Sequence, residues 1–103
     1  MIAEDFSLFN EIFSIINAGI IDDYDAFRLT VEVGDGHIDT DLKVKKNKIE
    51  SASASTDFND AVLYGLIKQL NESAKQRGEC WTSFIMTYEW GGQVKTVFKY
   101  GKS

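Results

Sequence analysis

Apolar residues return along the first twenty positions at steps of three and four: Ile2, Phe6, Phe9, Phe13, Ile16 and Ile20, flanked by Ile12 and Ile15. That spacing lines one face of an α-helix, with Glu4, Asn10, Glu11 and Ser14 elsewhere on the wheel. Acidic residues in the first turn suit the helix dipole, and Gly19 stands where a C-terminal cap belongs. The pattern predicts a helix over residues 3–18. The period then drops to two. Phe27, Leu29, Val31 and Val33 alternate with Arg28, Thr30 and Glu32. After Gly34-Asp35-Gly36, Ile38, Thr40, Leu42 and Val44 alternate with His37, Asp39, Asp41, Lys43 and Lys45. These read as two half-buried strands joined by a turn. Lys45-Lys46-Asn47-Lys48 suits a second turn, and residues 49–55 a third strand. Its small residues, Ser51 to Ser55, fit a sheet edge or a close helix contact.

A second helical stripe follows: Phe58, Val62, Leu66 and Leu70, widened by Leu63, Ile67 and Ala74. Thr56 or Asp57 can cap it, Lys75 and Arg77 favour its C-terminal end, and Gly78 fits the stop. Gly65 inside it costs about 1 kcal/mol relative to alanine, which points to a close backbone contact. Two β-rich runs, Trp81–Trp90 and Val94–Tyr100, then flank Gly91-Gly92, a hairpin signal. If the diglycine is the whole loop, Ile85 faces Phe98, and Phe84, Met86, Tyr88 and Trp90 share a face with Lys95, Val97 and Lys99. If Gln93 joins the loop, the same four residues join Val94, Phe98 and Tyr100. A one-residue slip swaps faces, and the single apolar face favours the longer loop.

The order α-β-β-β-α-β-β predicts an α+β fold: a mainly antiparallel sheet of about five strands with two helices on one face. Arg28, Thr30, Glu32, Asp39, Asp41, Lys43 and Lys45 then belong to the other face. With 103 residues and neither proline nor repeats, the chain reads as one domain, residues 1–103. A hydrophobic share of 44% is enough for a core at this size. Cys80 is the only cysteine, which excludes an intrachain disulfide and favours a reducing compartment. The acidic start lacks a basic n-region, and Ser14, Asn17 and Gly19 break the apolar patches near Ile12–Ile21. The expectation is a cytoplasmic protein with no membrane span.

A net charge of −5 repels phosphate backbones and draws basic partners, which argues against a nucleic-acid ligand. Asp22, Asp23, Asp25, Asp35, Asp39 and Asp41 are the richest charge feature. Solvated loops and a solvated sheet face accommodate them all; the functional alternative is a surface imitating phosphates, able to engage the basic cleft of a nuclease. Trp81, Tyr88 or Trp90 would then supply the hot spot, unless core packing claims them. His37, Asp39 and Asp41 fall on one side of a strand with neighbours about 6.8 Å apart. No second histidine or cysteine cluster completes a ligand set, so no metal or cofactor is expected. Cys80 with His37 as its base would form a nucleophile pair, yet no orienting motif or glycine elbow accompanies them. A lone cysteine is more often a small buried apolar residue. The residues point to a binding module and not to an enzyme.

A helix ending just before Glu79, then Trp81-Thr82-Ser83-Phe84, a glycine hairpin and a closing Phe98-Lys99-Tyr100 resemble the YezG-type immunity proteins of bacterial polymorphic toxin and contact-dependent inhibition systems. The resemblance covers about residues 57–100 and the element order. It implies an antitoxin that binds a cognate toxin domain, often a nuclease, and neutralises it by stoichiometric occlusion, without a cofactor. Free, such a protein would be a monomer or weak homodimer. Trp81 and Tyr100 match the motif as structural residues. Immunity surfaces vary with the toxin, so the resemblance transfers no contact residue. Charge and aromaticity instead nominate Asp22, Asp23, Asp25, Asp35, Asp39, Asp41, Tyr88 and Trp90 for partner binding. The alternative is a small adaptor or self-associating domain that uses the Phe84–Trp90 face under the shorter turn.

Overall fold

A computed structural model of the chain describes residues 3–21, 23–34, 36–51 and 56–100. The elements are α1 (Ala3–Gly19), β1 (Ala26–Gly34), β2 (His37–Lys46), β3 (Ile49–Ser51), α2 (Asp60–Gln76), β4 (Trp81–Glu89) and β5 (Lys95–Tyr100). The fold is α+β in the expected order. All strand pairs are antiparallel, and the sheet runs β3-β2-β1-β4-β5, with β1 at its centre. Of the expected third strand only Ile49–Ser51 is observed; residues 52–55 lie outside the described residues.

Register turns the strand alternation into apolar rows across the sheet. Thr40, Val31, Phe84 and Phe98 stand abreast on four strands, as do Leu42, Leu29, Met86 and Thr96. Val44, Phe27 and Tyr88 make a third row. Both helices cover this face. Phe9, Ile12, Ile16 and Ile20 of the first segment, and Leu63, Leu66, Ile67, Leu70 and Ala74 of α2, join these strand residues in one buried cluster. Arg28, Thr30, Glu32, Asp39, Asp41, Lys43 and Lys45 occupy the open face, as their alternation predicts.

The helical stripes sit slightly rotated from the expected ones. Phe6 is 56% exposed and Val62 49% exposed, although both belong to the predicted stripes. On α1 the buried line runs through Phe9 to Asp5. The Asp5 carboxylate accepts hydrogen bonds from Arg77 Nη2 at 2.6 Å and Ser73 Oγ at 3.0 Å, so the last turn of α2 takes the place Phe6 was expected to fill. Arg77 also holds Glu79 at 2.7 Å, and these two carboxylates raise its already high pKa. Val62 lies instead at the outer seam between the helices, with Ile15 and Leu66. Buried Asn71 fastens α2 to the sheet by donating to the Trp81 carbonyl at 3.1 Å.

Local backbone chemistry corrects three further expectations. The cap of α2 is Asn59, whose Oδ1 accepts from the Ala61 and Val62 amides; Asp57 instead donates its amide to the Gly19 carbonyl at 2.6 Å. Gly19 is the last residue of α1 and not its left-handed cap. A Cβ there would fall 2.6 Å from the Phe58 ring, so glycine makes room for packing. At Gly65 a Cβ would meet no atom within 4 Å, so the expected close contact is absent. Gly78 does stop α2: with φ of +79° it donates to the Lys75 carbonyl while Glu79 donates to that of Ala74, a Schellman closure.

The β4–β5 hairpin places Phe84 and Met86 on one face with Phe98, as the longer-loop reading has it. The loop is longer still, occupying Trp90 to Val94 between the strands. Trp90 stays bonded to the start of β1, its amide donating to the Asp25 carbonyl at 2.8 Å, and so leaves β5. A bulge between Trp81 and Ser83 turns Trp81 onto the core face, where its ring meets Phe84 at 5.4 Å and Phe98 at 5.5 Å. Among the described residues no helix is long and apolar enough to cross a membrane.

Phe84 is completely buried and touches rings from α1, β4 and β5. Phe84→Ala is expected to cost about 3–5 kcal/mol in urea unfolding, whereas Val97→Ala on the open face stays within about 0.5 kcal/mol. Tyr24 offers a pH-dependent check. It is buried and donates its hydroxyl to Asn17 Oδ1, and burial together with the neighbouring Tyr88 raises its pKa from 10.0 to about 12. The folded state therefore keeps the phenol protonated where the unfolded chain ionises it. Its contribution is complete below pH 10 and is lost as pH climbs to about 12. Thermal midpoints should fall more steeply across that window for the wild type than for Tyr24→Phe.

Candidate functional site

The connector between α1 and β1 brings an apolar and an acidic residue beside the hairpin loop. Tyr24 turns inward and Asp23 outward, while Ile21 follows the last core residue of the first segment, Ile20, into solvent. The rings of Trp90 and Tyr24 pack perpendicular to each other, with centres 5.7 Å apart and planes at 88°. It is nonetheless 69% exposed, and Ile21 is 63% exposed. With Asn17, Ile20, Asp23 and Tyr24 they line a hollow of about 420 Å³. Rigid support lies beneath: Tyr24 contacts Phe27 and Tyr88 as well as Trp90. Large exposed aromatics on a fixed footing lose little side-chain entropy when a partner covers them, which suits a hot spot.

Asp25 has a different duty. Its carboxylate accepts from the Asn47 amide at 2.6 Å, its amide donates to the Lys45 carbonyl at 2.7 Å, and its carbonyl accepts from Trp90. Asn47 and Lys48 take positive φ values of 52° and 66°, so the carboxylate steadies a strained turn. Asp25 thus ties the β2–β3 turn and the β4–β5 loop to the start of β1.

The remaining nominated residues do not converge. Asp39 and Asp41 are exposed on the open face, in register with Glu32 and Thr30, so Asp39 lies roughly 20 Å along the strand direction from Asp25. Asp22 and Asp35 lie outside the described residues. Tyr88 packs against Phe13 at 4.9 Å and Phe27 at 5.8 Å, so it serves the core; only its hydroxyl reaches the loop, accepting from the Gly91 amide. Trp81 is buried. A self-associating face through Phe84–Trp90 is closed off, because Phe84 and Met86 are wholly buried beneath the helices. Of the aromatic candidates Trp90 alone is a surface residue, and Ile21 beside it was missed. Its signal in the sequence is slight: one apolar residue just past a helix, before an acidic run.

The residues of the supposed metal set do not converge. His37 Nε2 lies 3.6 Å from Asp39, while Asp41 leans toward Lys43 at 3.9 Å, so the three side chains of the supposed metal set do not share a focus. Among the described residues no group of three or more His, Cys, Asp or Glu side chains is arranged to hold a metal ion. Cys80 is exposed, contrary to the small buried residue expected of a lone cysteine. A second hollow, of about 390 Å³, opens on the bare sheet face at the base of the hairpin loop. Compared against models of known protein families and against curated proteins, the chain matches none.

The two tryptophans report on this division. Acrylamide should quench the Trp81→Phe variant, which retains Trp90, strongly and with red-shifted emission. Trp90→Phe, which retains buried Trp81, should be quenched weakly and emit further to the blue.

Proposed function

We propose that this chain is an immunity protein that binds a cognate bacterial toxin domain in the cytoplasm and blocks it stoichiometrically. The observation that carries the reading is the solvent-facing pair of Trp90, packed on Tyr24, and Ile21, with Asp23 lining the same hollow. The pair provides apolar area for a contact centre, and the carboxylate receives a lysine or arginine. The acidic balance of the chain hastens encounter with a basic toxin. The toxin is a nuclease in this reading, and its basic substrate cleft is the surface covered. The resemblance of residues 57–100 to immunity proteins supports the same conclusion.

The test uses the basic toxin domain that this reading expects to be encoded next to this chain. Equimolar protein should abolish toxin activity, and the two should elute together as a 1:1 complex. Trp90→Ala should weaken the complex by about 2 kcal/mol, some thirty-fold, while Val97→Ala on the open sheet face leaves it unchanged. Toxin activity that persists at molar excess of the protein overturns the function. Full neutralisation by a Trp90→Ala, Ile21→Ala double variant overturns the surface alone.

A further inference from the structure

The hollow on the open sheet face carries the opposite charge to the rest of the molecule. Arg28, Lys43, Lys45 and Lys95 line it, against the carboxylates of Glu50 and Glu89. A chain of net charge −5 has thus gathered four of its cations around one concavity. The register makes this deliberate in physical terms. Lys43 stands directly opposite Arg28, Arg28 opposite Thr87, and Thr87 opposite Lys95, so three cations occupy one cross-strand row. Like charges facing each other across a sheet destabilise it. The neighbouring row places small Ala26 between Lys45 and Glu89, which leaves the floor low beneath long basic arms. Gly92 and Gln93 of the hairpin loop form the far wall.

We infer that this groove binds a small anion carrying at least two negative charges, with phosphoryl or carboxylate oxygens. Arginine and lysine donate charge-assisted hydrogen bonds to such oxygens, and the Thr87 hydroxyl supplies a neutral donor between them. The internal partners of the cations are weak competitors. Arg28 meets Glu50 at 3.2 Å and Lys43 meets Asp41 at 3.9 Å, both in solvent-exposed pairs, and such pairs contribute about 1 kcal/mol or less. The cavity falls within the size range of small-molecule sites. An extended polyanion does not fit: further along the same face Glu32 lies opposite Asp39, with Asp41 nearby, and these carboxylates repel a continuing phosphate chain. The groove lies across the loop from Trp90, so this inference stands or falls independently of the toxin.

An amide-resolved NMR titration of the full chain with pyrophosphate, and separately with citrate, at constant ionic strength tests it. Saturating shifts should cluster at residues 26–28, 43–45, 87 and 95. A Lys43→Ala, Lys95→Ala double variant should raise the apparent Kd by about tenfold or more, while Lys68→Ala on α2 leaves it unchanged. Tryptophan emission confirms that each variant is folded. Saturation by pyrophosphate alone assigns a phosphoryl ligand, and saturation by citrate alone a polycarboxylate. Linear shifts spread over all lysines with both anions, or equal weakening by Lys68→Ala, overturn the inference.

Discussion

The strand β1 is paired on both sides, and its alternation must satisfy two partners at once. Phe27, Leu29 and Val31 meet Val44, Leu42 and Thr40 on one side and Tyr88, Met86 and Phe84 on the other. A slip of one residue at either pairing would drive an apolar row into water and a charged row under the helices. Everything else follows from that double lock. It defines the single face the two helices cover, and it leaves the opposite face with its charged side chains in fixed rows.

Because the lock holds at β1, its N-terminal entry is a natural place to organise loops. Tyr24 and Asp25, adjacent in sequence, point to opposite fates. The tyrosine enters the aromatic cluster and seats Trp90; the aspartate clamps the β2–β3 turn and the hairpin loop by three backbone-directed hydrogen bonds. The hairpin loop then divides two surfaces of unlike chemistry: an aromatic, acid-rimmed hollow toward α1 and a cation-lined groove on the bare sheet face. A chain of only 103 residues thereby sets two surfaces of opposite chemical character on either side of one loop.

The helices depend on polar fastening as well as on apolar fit. Asp5 is buried and would be costly alone, yet Arg77 and Ser73 satisfy it from the far end of α2. Asn71 does the same between α2 and β4. These contacts join residues distant in sequence and fix how α1 and α2 lie relative to each other and to the sheet, a directional constraint that greasy packing alone supplies only loosely.

Periodicity determined the element order, the antiparallel pairing of neighbouring strands and which strand residues face the helices, because period-two alternation translates directly into sheet faces. Composition likewise determined the net negative charge. The tertiary structure decided what periodicity cannot carry: that the buried line of α1 ends on Asp5 and not Phe6, that a bulge brings Trp81 inside, and that the hairpin loop runs from Trp90 to Val94. It also separated Tyr88 from Trp90, one a core ring and the other a surface ring, although both sat on one predicted apolar face. The charge pattern was legible only as a sum. Six aspartates suggested one acidic surface, but those described are scattered, whereas four basic residues far apart in the chain meet in one groove. Such convergence is set by cross-strand register, a relation between distant segments that no local pattern along a single chain records.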